Sequence, residues 1–221
     1  MWKPLENNPE VLEAYLQEIG VENVAAFDIF SLNEIPEYLP RPIFSLLLVY
    51  PENTNTDASR GFENDTIVDC NTKNVHWYPQ TIANACGTMA LLHAVANGIP
   101  ENKRLPKSFA ASLVQETTGL TAEEKAKYIE NSKELARIHA KFAGAPSEDS
   151  SDADVETDLH FLCFTKGNDD YIYVLDGRRK GPIRLFQTDG DVLNERVLSV
   201  MRDLVEAVNS PFFSVVALAD S

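Results

Sequence analysis

The sequence has few cysteines, and their spacing does not build a covalent or metal scaffold. The three present, Cys70, Cys86 and Cys163, are an odd number, and no two of them form a CxxC pair. A disulfide framework and a zinc ribbon both require paired cysteines, so we expect neither. The sequence therefore predicts reduced thiols, with no metal and no cofactor.

Long apolar runs and a secretion signal are also missing. No hydrophobic stretch approaches the roughly 20 residues that cross a bilayer. The opening residues, Met-Trp-Lys-Pro-Leu-Glu, lack the charged and then apolar pattern of a signal peptide. We expect a cytoplasmic protein that does not act at a membrane, and we leave a nuclear location open.

Positive charge is scarce. The chain has 19 lysines and arginines against 34 aspartates and glutamates, for a formal net charge of −15. This charge repels nucleic acid and anionic lipid and attracts basic partners, although a need for solubility alone would also explain it. The chain has 221 residues and 44% hydrophobic content, from which we predict a single domain over residues 1–221 that acts as a monomer.

Hydrophobic patterning predicts both helices and strands along the chain. Asn8 and Pro9 begin a helix, and the continuous apolar run from Ile43 to Tyr50 indicates a strand buried on both faces. Thr121 and Glu124 form a capping box that opens one long helix.

The C-terminal third predicts a hairpin, a helix and a closing strand. Leu159 to Phe164 and Tyr171 to Leu175 flank a polar turn, as the two strands of a hairpin do. Asp189 or Asp191 is expected to cap the last helix, which precedes an apolar strand. Residues 144–157 are acidic and poor in apolar side chains, which favours a mobile surface loop serving as a lid.

One segment carries a candidate nucleophile. Asn84 is predicted to cap a helix, which places Cys86 in its first turn, where unpaired N–H groups and the helix dipole favour a thiolate. Gly87 lets a substrate backbone approach closely. Gln80, six residues before Cys86, could fold back and donate its amide to an oxyanion. A lone cysteine at a helix start is more often structural, so the interpretation depends on a partner base.

Four histidines compete to be that base. His93 is seven residues after Cys86 on the same helix, about 10 Å along the axis and too far for a hydrogen bond. His139 is predicted to be solvated or half-packed, and His76 stays open. His160 is favoured because a hairpin loop centred on Asn168 would place Asp176 directly opposite it.

The motifs around these residues resemble the ubiquitin C-terminal hydrolases, papain-like cysteine peptidases that cleave adducts from the C-terminal glycine of ubiquitin. The matching segments span the chain, and the most specific are the following: Gln80, Asn84-Ala85-Cys86-Gly87-Thr88, Asp158-Leu159-His160-Phe161 and Leu175-Asp176-Gly177-Arg178. The resemblance implies an α/β papain-like fold, with a central, mainly antiparallel sheet flanked by helices. It also implies a knotted backbone in which residues 144–157 form a crossover loop over the active site.

The resemblance also implies the role of each site residue. Cys86 would be the nucleophile, His160 the base and later the acid, Asp176 the group that orients His160, and Gln80 an oxyanion donor. Further substrate contacts are implied at these positions: Leu5, Glu6, Asn84, Gly144, Pro146, Glu156 and Thr157. The expected substrate is ubiquitin or a ubiquitin-like protein carrying a small or unfolded adduct, cleaved by a short, stand-alone enzyme.

Two other function classes remain open. A ubiquitin-binding protein without turnover would sequester or stabilise free ubiquitin, although all four catalytic positions carry competent residues. A redox protein would pair Cys86 with Cys70 or Cys163, although no CxxC motif supports this.

Overall fold

The computed structural model describes residues 2–51, 66–143, 159–209 and 212–221. Seven strands of the described chain form one antiparallel sheet, and their bounds are β1 (Val24–Ile29), β2 (Ile43–Pro51), β3 (Thr66–Ile67), β4 (Leu159–Lys166), β5 (Tyr171–Leu175), β6 (Ile183–Gln187) and β7 (Ser214–Asp220). Their order across the sheet is β1-β7-β2-β4-β5-β6-β3. The last strand along the chain therefore lies between the first two.

Six α-helices of the described chain flank this sheet, with bounds α1 (Pro9–Glu18), α2 (Cys86–Ala96), α3 (Phe109–Thr117), α4 (Ala122–Asn131), α5 (Lys133–Phe142) and α6 (Glu195–Val208), and a 3₁₀ turn spans Glu101–Lys103. Apolar residues of α1 to α5 form one core with one face of the sheet. Residues of α6 form a second core with the opposite face. None of the described helices is both long enough and apolar enough to traverse a lipid bilayer.

The interior strands divide their side chains between the two cores. On β4, Phe161 and Cys163 belong to the first core, whereas Leu162 and Phe164 belong to the second. This alternation follows from the two-residue period of a strand, and apolar residues at every position let an interior strand be buried on both faces. The prediction of a strand buried on both faces from Ile43 to Tyr50 is confirmed.

Local capping signals mark some helix ends correctly. The Asn8 side chain accepts a hydrogen bond from Glu10 N, and Pro9 is the first residue of α1, as predicted. The Thr121–Glu124 capping box is also present. The single long helix predicted after it is wrong, because Ser132 ends α4 and its side chain then accepts from Leu135 N to cap α5. Serine favours such caps because its hydroxyl competes for nearby backbone groups.

The predicted cap of the last helix is also wrong. Asn194 caps α6, and its side chain accepts from Val197 N. The Asp191 carboxylate instead accepts from the backbone N–H groups of Ile43, at 2.9 Å, and Leu193, at 3.0 Å. Residues 144–157 lie outside the described residues, as do residues 52–65, so the crossover loop and the knot stay predictions.

Phe164 and Phe30 provide a test of the second core. Phe164 is fully buried, whereas Phe30 is 85% exposed. We expect Phe164→Ala to lower the free energy of unfolding by about 3–5 kcal/mol, because it removes buried contacts and leaves a cavity. Phe30→Ala should change it by less than about 0.5 kcal/mol. Urea denaturation measures both, and equal losses would contradict the assignment of Phe164 to the core.

Candidate active site

Cys86 is the first residue of α2, a helix whose residues are all buried. The preceding residue, Ala85, occupies the N-cap position and provides no side-chain hydrogen bond. The N–H groups of the first turn are thus left without a side-chain acceptor from the cap. Such groups favour an anion, either a thiolate or the oxyanion of a tetrahedral intermediate.

Asn84 does not cap α2, so that prediction is wrong. Its backbone is left-handed, with φ of 62°, a conformation that asparagine tolerates better than most residues. Its side-chain amide donates to Trp2 O at 3.0 Å. Asn84 therefore shapes the turn before the helix and connects it to the N-terminal residues.

His160 and Asp176 form a buried pair. Nε2 of His160 lies 2.9 Å from Oδ1 of Asp176, and the two side chains are 1% and 5% exposed. The Arg178 backbone N–H donates to the same carboxylate oxygen at 2.9 Å, and Arg179 Nε lies 3.4 Å from the other oxygen. Burial raises the pKa of Asp176. The charge and hydrogen bond of His160, the Arg178 N–H and the Arg179 charge together lower this pKa by more, so the net shift is downward.

The carboxylate has the opposite effect on the imidazole. Burial lowers the pKa of His160, but the charge and hydrogen bond of Asp176 and the interaction with Cys86 together outweigh burial and raise the pKa to about 9. The ring also lies edge-on to Tyr50, with centroids 5.9 Å apart. His160 is therefore held in one orientation and in its protonated form at neutral pH.

The thiol of Cys86 interacts with this histidine. Burial raises the pKa of Cys86, but the interactions with His160, the Phe161 backbone and the Arg178 charge together lower it by more, so the pKa lies below the ordinary 9.0. Nδ1 of His160 makes no conventional hydrogen bond within the described residues, so this nitrogen remains available to the sulfur. Cys86 Sγ also lies 3.8 Å from Leu159 O. The lowered pKa of Cys86 and the raised pKa of His160 favour a thiolate–imidazolium pair.

The hairpin brings Asp176 to His160 in a register that differs from the predicted one. Lys166 pairs with Ile172 and Cys163 with Leu175, so the loop centres on Asp169 rather than Asn168. Asp176 is therefore displaced by two residues from the position opposite His160. Because strand side chains alternate with a period of two, this displacement keeps both residues on one face.

Gln80 lies against the turn that carries Asp176. Its backbone N–H donates to Gly177 O at 2.7 Å, and its side-chain amide donates to Ile82 O at 3.1 Å. The amide must therefore exchange Ile82 O for an oxyanion if it is to stabilise one. The oxyanion role of Gln80 stays a prediction.

His93 of α2 and Asn97, the residue that follows α2, hold the segment leading to Gln80, and sequence reasoning missed both roles. His93 Nε2 accepts from Tyr78 N at 3.0 Å, and Asn97 accepts from His76 N at 2.7 Å. Burial lowers the pKa of His93 to about 4, so it is neutral and serves as an acceptor. The four-residue spacing of His93 and Asn97 is the feature of the sequence that could have indicated these roles, because residues four apart face the same side of a helix and its end.

Trp77 connects this segment to the aspartate. Its indole N–H donates to Asp176 O at 3.0 Å in the protein interior. The residues around Gln80 and the residues around Asp176 are thus fixed to each other. No sequence pattern pairs an indole with a backbone carbonyl, so this contact could be found only in the structure.

The remaining predicted site residues have separate locations. Leu5 is buried beside Gly87, and Glu6 is exposed. His139 is 2% exposed, so its prediction as a solvated or half-packed residue is wrong. Gly144, Pro146, Glu156 and Thr157 lie outside the described residues.

The other two cysteines differ chemically from Cys86. Cys163 is fully buried, which raises its pKa to about 12 and makes it a poor nucleophile. Cys70 is half-buried, and all three cysteines are free thiols. Cys86 combines a lowered pKa with a position beside a buried histidine–carboxylate pair. The fold and this arrangement are those of a papain-like cysteine peptidase.

Comparison with known proteins identifies the family. The model of ubiquitin carboxyl-terminal hydrolase family 1 matches residues 2–206. Ubiquitin carboxyl-terminal hydrolase 3 of Arabidopsis thaliana is 30% identical over 209 residues, covering 93% of this chain and 88% of that protein. A ubiquitin carboxyl-terminal hydrolase of Aplysia californica is 31% identical over 207 residues, covering 91% and 93%. The chain therefore belongs to ubiquitin carboxyl-terminal hydrolase family 1, and it is an enzyme, a cysteine peptidase.

Solved structures show the same fold. The UCH37 catalytic domain of Trichinella spiralis, solved bound to ubiquitin vinyl methyl ester, superposes with a TM-score of 0.77. The two chains are 20% identical, and the match covers 100% of this chain and 96% of that one. The prediction of an α/β papain-like fold with an antiparallel sheet flanked by helices is confirmed.

The pH dependence of Cys86 alkylation tests the thiolate–imidazolium pair. We expect the rate with iodoacetamide to rise with a midpoint below the ordinary thiol pKa of 9.0. His160→Ala should move this midpoint upward, because the charge that stabilises the thiolate is removed while most of the burial remains. Mass analysis of the Cys86 peptide separates its alkylation from that of Cys70.

His76→Ala is the matched control for this experiment, since it removes a half-buried histidine without touching the pair. Its midpoint should equal that of the unmodified protein. An unchanged midpoint in His160→Ala would show that His160 does not activate the thiol.

Proposed function

We propose that this enzyme hydrolyses esters, thioesters and amides at the C-terminal glycine of ubiquitin or a ubiquitin-like protein. The buried His160–Asp176 pair beside a cysteine at a helix start carries the proposal. This arrangement generates a thiolate and holds a proton for the leaving group. The expected adducts are small or unfolded.

The first half-reaction forms a thioester. The Cys86 thiolate attacks the carbonyl carbon of the terminal glycine, and its sulfur forms a bond as the carbonyl electrons move to oxygen. The backbone N–H of Cys86 and the amide of Gln80 stabilise the oxyanion, at about 3 kcal/mol for one such donor in comparable sites. As the intermediate collapses, the bond to the leaving amine or alcohol breaks, and His160 donates the proton that this group requires.

The second half-reaction releases ubiquitin. His160, now neutral, takes a proton from water, and the hydroxide formed attacks the thioester carbon. The carbon–sulfur bond then breaks, and the thiolate and the protonated His160 are restored. Asp176 keeps the ring in place and stabilises the imidazolium in both half-reactions.

The comparisons, the charge of this chain and the shape of the tail support ubiquitin as the partner. The relatives named above are ubiquitin hydrolases, and the UCH37 neighbour is bound to ubiquitin vinyl methyl ester. The net charge of −15 suits a protein whose tail is surrounded by basic residues. Glycine residues at the end of the tail suit a narrow channel, because they have no Cβ.

Substitution of Cys86 and Gln80 tests the mechanism. Cys86→Ala should abolish turnover of a fluorogenic ubiquitin amide while leaving tail binding largely intact. Gln80→Ala should lower kcat by about 10²–10³ with little change in KM, since the lost interaction forms mainly in the transition state. Gln17→Ala, an exposed glutamine on α1, should leave both constants unchanged.

A ubiquitin-binding protein without turnover is the alternative. It would bind a ubiquitin-derived electrophile without forming a covalent adduct at Cys86, and mass spectrometry distinguishes the two outcomes. The lowered pKa of Cys86 and the raised pKa of His160 favour turnover. Hydrolysis that persists in Cys86→Ala would remove the proposal.

The size of the leaving group provides a further test. If substrate passes beneath the crossover loop predicted at residues 144–157, a folded protein attached to ubiquitin should react much more slowly than a short peptide. Initial rates on the two conjugates measure the difference. Unfolding the attached protein with a destabilising mutation should restore the rate, and equal rates on folded and unfolded adducts would contradict the size limit.

A further inference from the structure

The N-terminal residues 2–5 form a strap that crosses the start of α2. The Trp2 backbone N–H donates to Ala83 O at 3.2 Å, and the Asn84 amide donates to Trp2 O at 3.0 Å. Both bonds lie on the left-handed turn that leads into Cys86. The strap is therefore bonded to the chain immediately before the nucleophile.

The other end of the strap contacts the chain immediately after the nucleophile. Leu5 is 4% exposed, and its Cβ would lie 3.0 Å from a Cβ placed on Gly87. A side chain at position 87 would therefore crowd Leu5 and require a small shift of the strap, which is consistent with a glycine there. Leu5 therefore packs beside the residue that follows Cys86.

His139 of α5 holds the middle of the strap. Its Nε2 lies 2.7 Å from Lys3 O, and its ring stacks on Trp2 with centroids 4.2 Å apart. A carbonyl oxygen only accepts, so Nε2 donates, and in the neutral ring Nδ1 accepts from the Thr88 hydroxyl at 2.8 Å. Tyr15 OH lies 3.1 Å from the same hydroxyl and completes the buried chain of hydrogen bonds.

We propose that His139 is a positioning residue, which fixes the strap against the turn at Cys86 and so sets the rate at which the enzyme captures a ubiquitin tail. This inference rests on the proposed function. His139 does not contact Cys86, and its contribution passes through Lys3 O to the packing of Leu5 beside Gly87. Its two ring nitrogens have separable roles, because Nε2 holds the strap whereas Nδ1 contacts α2 alone.

Two variants of similar size separate these roles. In His139→Gln the amide nitrogen lies near the position of Nε2 and still donates to Lys3 O. In His139→Asn the amide lies near the position of Nδ1, so it keeps the contact with Thr88 and loses the strap. Both variants keep a polar side chain of similar size in this buried position. His139→Ala is less suitable, because it would remove both hydrogen bonds and leave a cavity.

The measurement is the second-order rate of adduct formation with ubiquitin vinyl methyl ester. We expect His139→Asn to react about tenfold more slowly, the effect of losing one hydrogen bond of ordinary strength. His139→Gln should remain within about twofold of the unmodified enzyme. Alkylation of Cys86 by iodoacetamide should be unchanged in both, because the His160–Asp176 pair is untouched.

Tyr15→Phe is the matched control for stability. It removes a hydrogen bond from the same buried chain without touching the strap, so it should lower Tm and leave the adduct rate unchanged. A purely structural role for His139 would make the adduct rates follow Tm across all three variants. Adduct rates that follow Tm in this way would overturn the inference. So would equal adduct rates for His139→Asn and His139→Gln, or a loss of iodoacetamide reactivity that parallels the loss of adduct rate.

The same experiment keeps this inference separate from the proposed function. An unmodified enzyme that forms no adduct with the ubiquitin probe contradicts the proposed function itself. An unmodified enzyme that reacts, together with a His139→Asn variant that reacts equally fast, contradicts only the role of His139.

Discussion

The buried contact between His160 and Asp176 is the constraint on which the site depends. Two opposite charges removed from water are costly unless each is well paired, and here the Asp176 carboxylate also accepts from the backbone N–H of Arg178 and lies 3.4 Å from Arg179 Nε. With the pair in place, the imidazole keeps a proton and lowers the pKa of Cys86. Without it, burial would favour a neutral and inert thiol.

The rest of the fold keeps three distant parts of the chain at this contact. Strand β4 carries His160, the turn after β5 carries Asp176, and the first turn of α2 carries Cys86. His93 and Trp77 then fix the segment before α2 to that helix and to the aspartate turn. Each connection lies in the interior, so the positions of the reacting groups are set by packing rather than by the conformation of a surface loop.

Features encoded by neighbouring residues could be predicted from the sequence, and features that depend on distant contacts could not. Asn8 and the Thr121–Glu124 box cap helices as expected because each acts within one helical turn. The caps at Asn84 and Asp191 were wrong because those side chains bond to Trp2 and Ile43, far away in sequence. At the site, motif and spacing identified the residue types, but the conformation of Gln80 and the buried roles of His93 and His139 required the folded chain.

The place of β7 between β1 and β2 has a consequence for biosynthesis. Residues 24–29 and 43–51 leave the ribosome early, yet the strand that joins them is made only when residues 214–220 have been translated. Until then β1 has no partner in the sheet, and β2 has one unpaired edge. A nascent chain therefore cannot complete the sheet until residues 214–220 have left the ribosome, and before that point it exposes unpaired strand edges, which favour aggregation.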